Sequence, residues 1–280
     1  MSEDRKNEVF GRDRSDGITR RDVMKDDFGI DVPVDLAPLP SEGRVYGVDS
    51  PLYGKHSVEI SAMTAVQEDI LTSRALIKKG TVITELLRSC ILSPGVSPDA
   101  LLSGDRNAIM VAHRITGYGS EYEASITCGS CGEGVEAEFD LSALPIKKLK
   151  IDPTEEGKNE FEFKLPRSGH NVLFKFLTGA DENDLLQEAD RRRKTMRFAK
   201  DTLVTGRLRR AIISVGGISD PNKINIFIRN MPASDSRALR KFMEENEPGI
   251  DMKGWTECPA CGEQQEVNMP LGAKFFWPDS

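Results

Sequence analysis

The chain has 280 residues, 38% of them hydrophobic and 30% charged, with a net charge of −7 and a mean hydropathy of −0.40. This is enough chain for one large domain or two small ones, and no run approaches the ~18 consecutive apolar residues of a membrane helix. An acidic balance argues against a protein whose main work is gripping phosphates. With no apolar leader and many acids near its start, the chain is expected to stay in the cytoplasm in which it is made.

Residues 1–45 read as a flexible arm. From Met1 to Asp27 eight acids and seven bases leave few apolar residues and neither a helical nor a strand period, so little surface is available to offset the entropy of ordering. Pro33, Pro38 and Pro40 then favour an extended path. Folded structure is expected from Tyr46, with residues 46–120 as a helical unit. Thr64 and Gln67 form a capping-box pattern ahead of Ile70, Leu71 and Ile77, and Gly80 closes that helix. A second helix covers about Val82 to Leu92. Ser97-Pro98-Asp99 is expected to open a short helix ending at Gly104. Asp105 caps a further one that carries Ile109, Ala112 and His113 and stops at Gly117 and Gly119.

The period then changes, and residues 121–280 read as a β domain with a helical insertion at about 178–250. Tyr122 to Thr127 runs into the first CxxC, and Val135 to Leu141 alternates as a half-buried strand does. Phe161 to Leu165 and Val172 to Phe176 do the same, with a hairpin turn at 166–170. After Thr178 comes an acidic first turn and a basic last turn, the order that suits a helix dipole. Further helices are expected over Leu203–Val215, before Gly216-Gly217, and over Asp235–Glu245. A strand over Gln265–Met269 and an aromatic tip, Lys274-Phe275-Phe276-Trp277-Pro278, close the chain. The tip is expected either to pack over its own ribbon or to plug into a partner.

Five cysteines fall into a pattern. Cys128-Gly-Ser-Cys131-Gly132-Glu133 and Cys258-Pro-Ala-Cys261-Gly262-Glu263 are matched units, each leading into a strand, and Cys90 stands alone. Each short turn lets two sulfurs converge on one ion, and the following glycine permits the positive φ such a turn needs. In a reducing compartment paired CxxC units read as metal ligands before disulfides. Cys128, Cys131, Cys258 and Cys261 are therefore expected to hold one structural Zn²⁺ in a closed tetrahedron, with no position left for a catalytic water. Between Cys131 and Cys258 lie 126 residues, against ~15–20 in a simple ribbon, so the ribbon is expected to be split, with strands and helices inserted within it. Two separate redox or structural turns are the competing reading; an iron–sulfur cluster is weaker still.

Other candidates carry less. Gly47 to Gly54-Lys55-His56 has six residues between its glycines where a phosphate-binding loop needs four. His56, His113 and His170 are scattered, and no Ser/His/Asp grouping assembles. Arg191 to Arg210 holds nine bases and one acid, which reads as a solvated helix face before it reads as a nucleic-acid contact.

Several ordered segments resemble the T4-type baseplate (hub) protein family of contractile-tailed bacteriophages. They are Gln67 to Gly80, Leu102 to Ile109, Tyr118 to Tyr122 leading into Cys128, Asn230 to Arg237, and the end from Cys258 to Pro278. The resemblance covers about residues 60–280 and leaves the arm outside the family pattern. It implies a non-enzymatic virion or assembly component of the tail baseplate, present in the host cytoplasm during assembly. Its partners would be other baseplate or hub proteins, with no membrane and no nucleic acid, and it would be oligomeric within that assembly. The alternative is a zinc-ribbon protein that binds nucleic acid, or a regulator, through residues 191–210. The expected fold is α+β: an N-terminal helical unit, a β-rich middle, a helical insertion and a split zinc ribbon of four cysteines closing the fold.

Overall fold

The computed structural model describes residues 24–25, 31–195, 203–269, 271 and 273–276. The expectations for most of the arm, for 196–202 of the basic stretch and for Trp277-Pro278 lie outside the described residues. The architecture is α+β, built from short antiparallel sheets and helices around one core. No helix among the described residues is long and apolar enough to cross a membrane.

Strand β1 (Met24–Lys25) pairs with β2 (Asp31–Val32). Strand β3 (Val34–Pro38) runs antiparallel to β4 (Ser57–Ser61), with Ala37 opposite Val58. This corrects the boundary of the arm. The prolines do impose an extended path, but that path is a core strand and its continuation: Ala37, Leu39, Ser41 and Val45 are all at most 4% exposed.

Helix α1 (Ala65–Thr72) starts at the expected capping box, in which Thr64 N–H donates to Gln67 Oε1 at 2.9 Å. The single helix expected up to Gly80 is two. Ser73 turns extended (ψ 103°) and caps α2 (Arg74–Lys79), and Gly80 closes it with φ 72°. Helix α3 (Val82–Cys90) turns Leu86, Leu87 and Cys90 inward. The helix expected from Ser97 is only a turn, closed by Ala100 N–H on Ser97 O at 3.0 Å.

Helix α4 (Ser103–Tyr118) is the axis of the fold. Ile109, Met110, Val111, Ala112 and His113 are buried in succession, the signature of a helix surrounded on all sides. Gly104 lets the chain at Pro248 approach; a Cβ there would lie 1.7 Å from the Pro248 carbonyl oxygen. Asp105 is inside the first turn, not a cap. It is fully buried, accepts from Ser41 N–H (3.0 Å), Ser41 Oγ (2.6 Å) and the Tyr46 hydroxyl (2.5 Å), and so fastens the segment after β3 to the axis.

Strand β5 (Glu121–Thr127) pairs in a hairpin with β6 (Gly134–Asp140), and β6 follows the alternation expected for Val135 to Leu141. Asp140 caps a 3-10 turn at Leu141–Ala143, and β7 (Ile146–Lys147) comes next. Strands β8 (Phe161–Lys164) and β9 (Asn171–Phe174) make the second expected hairpin, and Phe161 lies 4.8 Å and 5.7 Å from Phe176 and Phe174. Helix α5 (Gly179–Thr195) opens with Thr178 N–H and Oγ1 donating to Asp181.

Helix α6 (Leu203–Ala211) is shorter than expected. Residues 212–215, rich in β-branched side chains, form β10 (Ile212–Val215), the third strand of a β10-β9-β8 sheet. Helix α7 (Pro221–Asn230) is an addition to the expected elements. Asp220 caps it by accepting from Lys223 N–H, and Pro221 stands in its first turn. Helix α8 (Ala233–Asn246) is close to expectation. Strand β11 (Gly249–Ile250) pairs with β7, and β12 (Lys253–Glu257) pairs with β13 (Gln264–Asn268). A 3-10 turn at Ala273–Phe276 ends the described chain. The hydrophobic core runs through residues from Ala37 to Phe276, so the stretches 46–120 and 121–280 share it.

Candidate metal centre

Each CxxC forms the tip of an antiparallel hairpin, β5–β6 for Cys128 and Cys131 and β12–β13 for Cys258 and Cys261. The two tips are built alike. Cys128 N–H donates to Glu133 O at 2.8 Å and Gly132 N–H to Cys128 O at 2.9 Å; Cys258 N–H donates to Glu263 O at 2.9 Å and Gly262 N–H to Cys258 O at 2.8 Å. Gly132 and Gly262 have φ of 77° and 72°, the left-handed conformation that a side chain disfavours. The matched CxxCG spelling is thus the sequence trace of a matched backbone turn.

The tips meet. The four sulfurs lie within 4.8 Å of one another, with Cys128 Sγ 3.7 Å from Cys261 Sγ and Cys131 Sγ 3.7 Å from Cys258 Sγ. A disulfide needs about 2.05 Å. Four thiolates at ~2.3 Å from one tetrahedral ion stand about 3.8 Å apart, so the donor set fits a single metal ion. In each pair one sulfur is buried, Cys128 and Cys258, and the other, Cys131 and Cys261, faces outward. Val135 and Ile126 pack beneath the buried sulfurs.

The electrostatics ask for a cation. The backbone amides of Cys131 and Ser130 hold the Cys128 thiol down to about 7. The Glu263 amide favours the Cys261 thiolate, but the surrounding sulfurs, Cys131 first, push that thiol up to about 12. One thiolate forms readily and opposes the next, and a dication would relieve that repulsion.

Contacts away from the sulfurs hold the hairpins in register. Gln265 Oε1 accepts from Gly129 N–H at 3.2 Å, and the backbone at Gly254 lies against the Phe139 ring. Sequence reasoning missed strand β12 and both of these contacts. Gly254 within a strand next to Trp255 was the available signal, since a strand glycine often marks close approach of other atoms.

The other candidates separate from this centre. Cys90 is fully buried with Sγ 3.5 Å from Leu87 O, and burial pushes its thiol up to about 12. His56, His113 and His170 join no metal-ligating group among the described residues. Four bases of the 191–210 stretch are engaged by acids of α5: Arg192 and Arg209 by Glu188, Arg207 by Glu182 and Arg210 by Asp184. Phe275 and Phe276 of the tip are buried against Tyr122 and His113.

The family described as T4 bacteriophage base plate protein matches the chain over residues 44–277. No curated protein matches, and no solved structure does.

Proposed function

The chain belongs to the T4 bacteriophage base plate protein family, and from that membership we propose that it is a structural component or assembly factor of a contractile-tail baseplate or its hub. It acts through contacts with other tail proteins, without catalysis, in the virion tail and in the host cytoplasm during assembly. It carries one structural Zn²⁺ on Cys128, Cys131, Cys258 and Cys261.

The observation that carries the metal reading is the convergence of four sulfurs, from tips 126 residues apart in sequence, to within 4.8 Å. An S4 donor set suits zinc or iron. Zinc is favoured because two matched CxxCG tips on facing hairpins are the form a zinc ribbon takes. With four protein ligands the ion has no open position, so its contribution is to stability: binding free energy becomes folding free energy. The ion ties the β12–β13 hairpin to the β5–β6 hairpin and so closes the fold around the inserted sheet and helices. The ion pairs that α5 makes with four arginines weigh against a nucleic-acid role for the basic stretch.

Two measurements test the proposal separately. Elemental analysis of the purified chain should give about one zinc per chain; iron in its place, or no metal, removes the zinc reading and leaves the family role standing. Mass spectrometry of purified tails and of assembly intermediates should find the chain with other baseplate proteins; its absence from both removes the baseplate role.

A further inference from the structure

The two halves of the metal centre are alike in backbone and unequal in side chains. Val135 and Gln265 each stand seven residues after the first cysteine of their unit. Each is the second residue of the return strand of its hairpin, Val135 opposite Ile126 and Gln265 opposite Thr256. In the first half that pair is hydrocarbon and packs with the buried sulfurs of Cys128 and Cys258. In the second half the same place holds a carboxamide and a hydroxyl.

The residue after the first cysteine differs in step. It is Gly129 in one unit and Pro259 in the other. Gly129 N–H donates to Gln265 Oε1 from one hairpin to the other at 3.2 Å. Proline has no N–H to offer, and valine at 135 has no oxygen to accept one. Donor and acceptor therefore occur together on one side of the centre and are both missing on the other. That bond uses only half of the carboxamide. Nε2, held beside Oε1 at the Cys128 tip, is buried with no hydrogen-bond partner among the described residues. A buried donor left in that state is costly. The strongest acceptors at the tips are the four sulfurs, gathered within 4.8 Å of one another; as thiolates they carry more negative charge than one dication cancels, and bonds to ionised acceptors are the strong ones.

We infer that Gln265 is a positioning residue of the metal centre: its Oε1 holds the Cys128 tip, and its Nε2–H donates to the thiolates when they hold an ion. Outer partners of this kind orient ligands and tune the metal they bind. The inference rests on the metal reading above and adds an asymmetry to it. The Cys128 tip is steadied by a side chain of the other hairpin, and the Cys258 tip has valine in the matching place.

Cobalt(II), loaded into the full chain in place of zinc, is the probe. An N–H bond to a coordinated thiolate stabilises the sulfur electrons, so its loss moves the sulfur-to-cobalt charge-transfer band to longer wavelength. The d–d bands report the tetrahedral geometry separately. Gln265→Val copies the other half and removes both functions of the amide; Gln265→Glu keeps the acceptor for Gly129 N–H and removes the donor. Each variant should still bind the ion and shift the charge-transfer band to longer wavelength with the d–d bands in place. Each should also lose about 10–100-fold in zinc affinity against a competing chelator. Circular dichroism checks that both fold. A parent-like band and affinity in Gln265→Glu, with the loss confined to Gln265→Val, overturns the inference and leaves the carboxamide as an acceptor that sets register. Parent-like behaviour of both variants overturns it as well. A parent chain that itself shows no charge-transfer band overturns the metal reading, and this inference with it.

Discussion

A Cβ placed on Gly254 would lie 2.3 Å from Cε1 and 2.5 Å from Cδ1 of Phe139. The backbone of β12 therefore rests directly on an aromatic ring of β6, and the two hairpins that carry the cysteines are in contact well before their tips meet. Gly254→Ala should cost about 1–3 kcal/mol, the range for forcing extra volume into a packed site, read as a shift in the denaturant midpoint. Phe139→Leu in the Gly254→Ala background should recover part of that loss, and non-additivity of the pair measures the contact. Equal stability of Gly254→Ala and the parent would mean that the hairpins are held by the metal alone.

The sulfur cluster predicts a contrast between cysteines. Cys258→Ala removes a buried ligand and should abolish stoichiometric zinc and lower the melting temperature, since up to ~10–16 kcal/mol of binding free energy in zinc-finger peptides is folding free energy. Cys90→Ala should leave zinc unchanged, because that thiol is buried between α3 and the core and stays protonated. Atomic absorption on the two variants beside thermal melts gives the answer. Full metal in Cys258→Ala would mean that the two CxxC turns do not share an ion.

The segment after β3 predicts a graded series. Asp105→Ala leaves Ser41 N–H, Ser41 Oγ and the Tyr46 hydroxyl without their acceptor in a fully buried site. At ~1–3 kcal/mol for each stranded group, the loss should exceed about 3 kcal/mol. Tyr46→Phe strands one carboxylate lone pair and Leu102 N–H, which donates to the Tyr46 oxygen at 3.0 Å, and should cost about 1–3 kcal/mol. Truncation to residue 23 should leave the melting temperature nearly unchanged, whereas truncation to residue 45 removes Ala37, Leu39 and Val45 from the core and should prevent folding. Equal melting temperatures for the two truncations would contradict the packing of β3.

How much of this is legible in the sequence follows from the range over which each feature is decided. The capping box at Thr64, the stop at Gly80 and the alternation of Val135 to Phe139 are local, and the sequence spells each of them. The CxxCG turns are legible because a metal tip is spelled within six residues. Ser41 to Val45 read as arm because their burial depends on Asp105, 64 residues beyond Ser41, and nothing nearby in sequence announces that carboxylate. Residues 212–215 continue the helical period of α6, yet they pair with Phe174, Leu173 and Val172 of β9, a tertiary partner that overrides propensity. Helix α7, absent from the expected elements, does have a local signal in Asp220 ahead of Pro221. Gly254 is intelligible only once Phe139 is seen against it.

His113 gives the last prediction, one of pH. Its ring is fully buried on α4, with Nδ1 3.1 Å from Ser61 O, Nε2 without a partner, and the Phe276 ring edge-on at 6.2 Å. Burial holds the imidazole down to about 4 from 6.5, so Nδ1 donates to Ser61 and the ring stays neutral in the folded chain. The unfolded chain takes up a proton below 6.5 and the folded chain does not until about 4. Stability from this residue is therefore complete above about 6.5 and lost as pH falls from there towards about 4, by about 3 kcal/mol in all. His113→Asn keeps a donor for Ser61 O but cannot titrate. It should be less stable than the parent at about pH 7, through lost packing on Phe276, and that gap should narrow by about 2–3 kcal/mol at about pH 4.5 in urea denaturation. Acid release of the metal affects both chains and cancels in the comparison. A gap of constant size across that range would mean that the imidazole reaches water and carries its proton in the folded state.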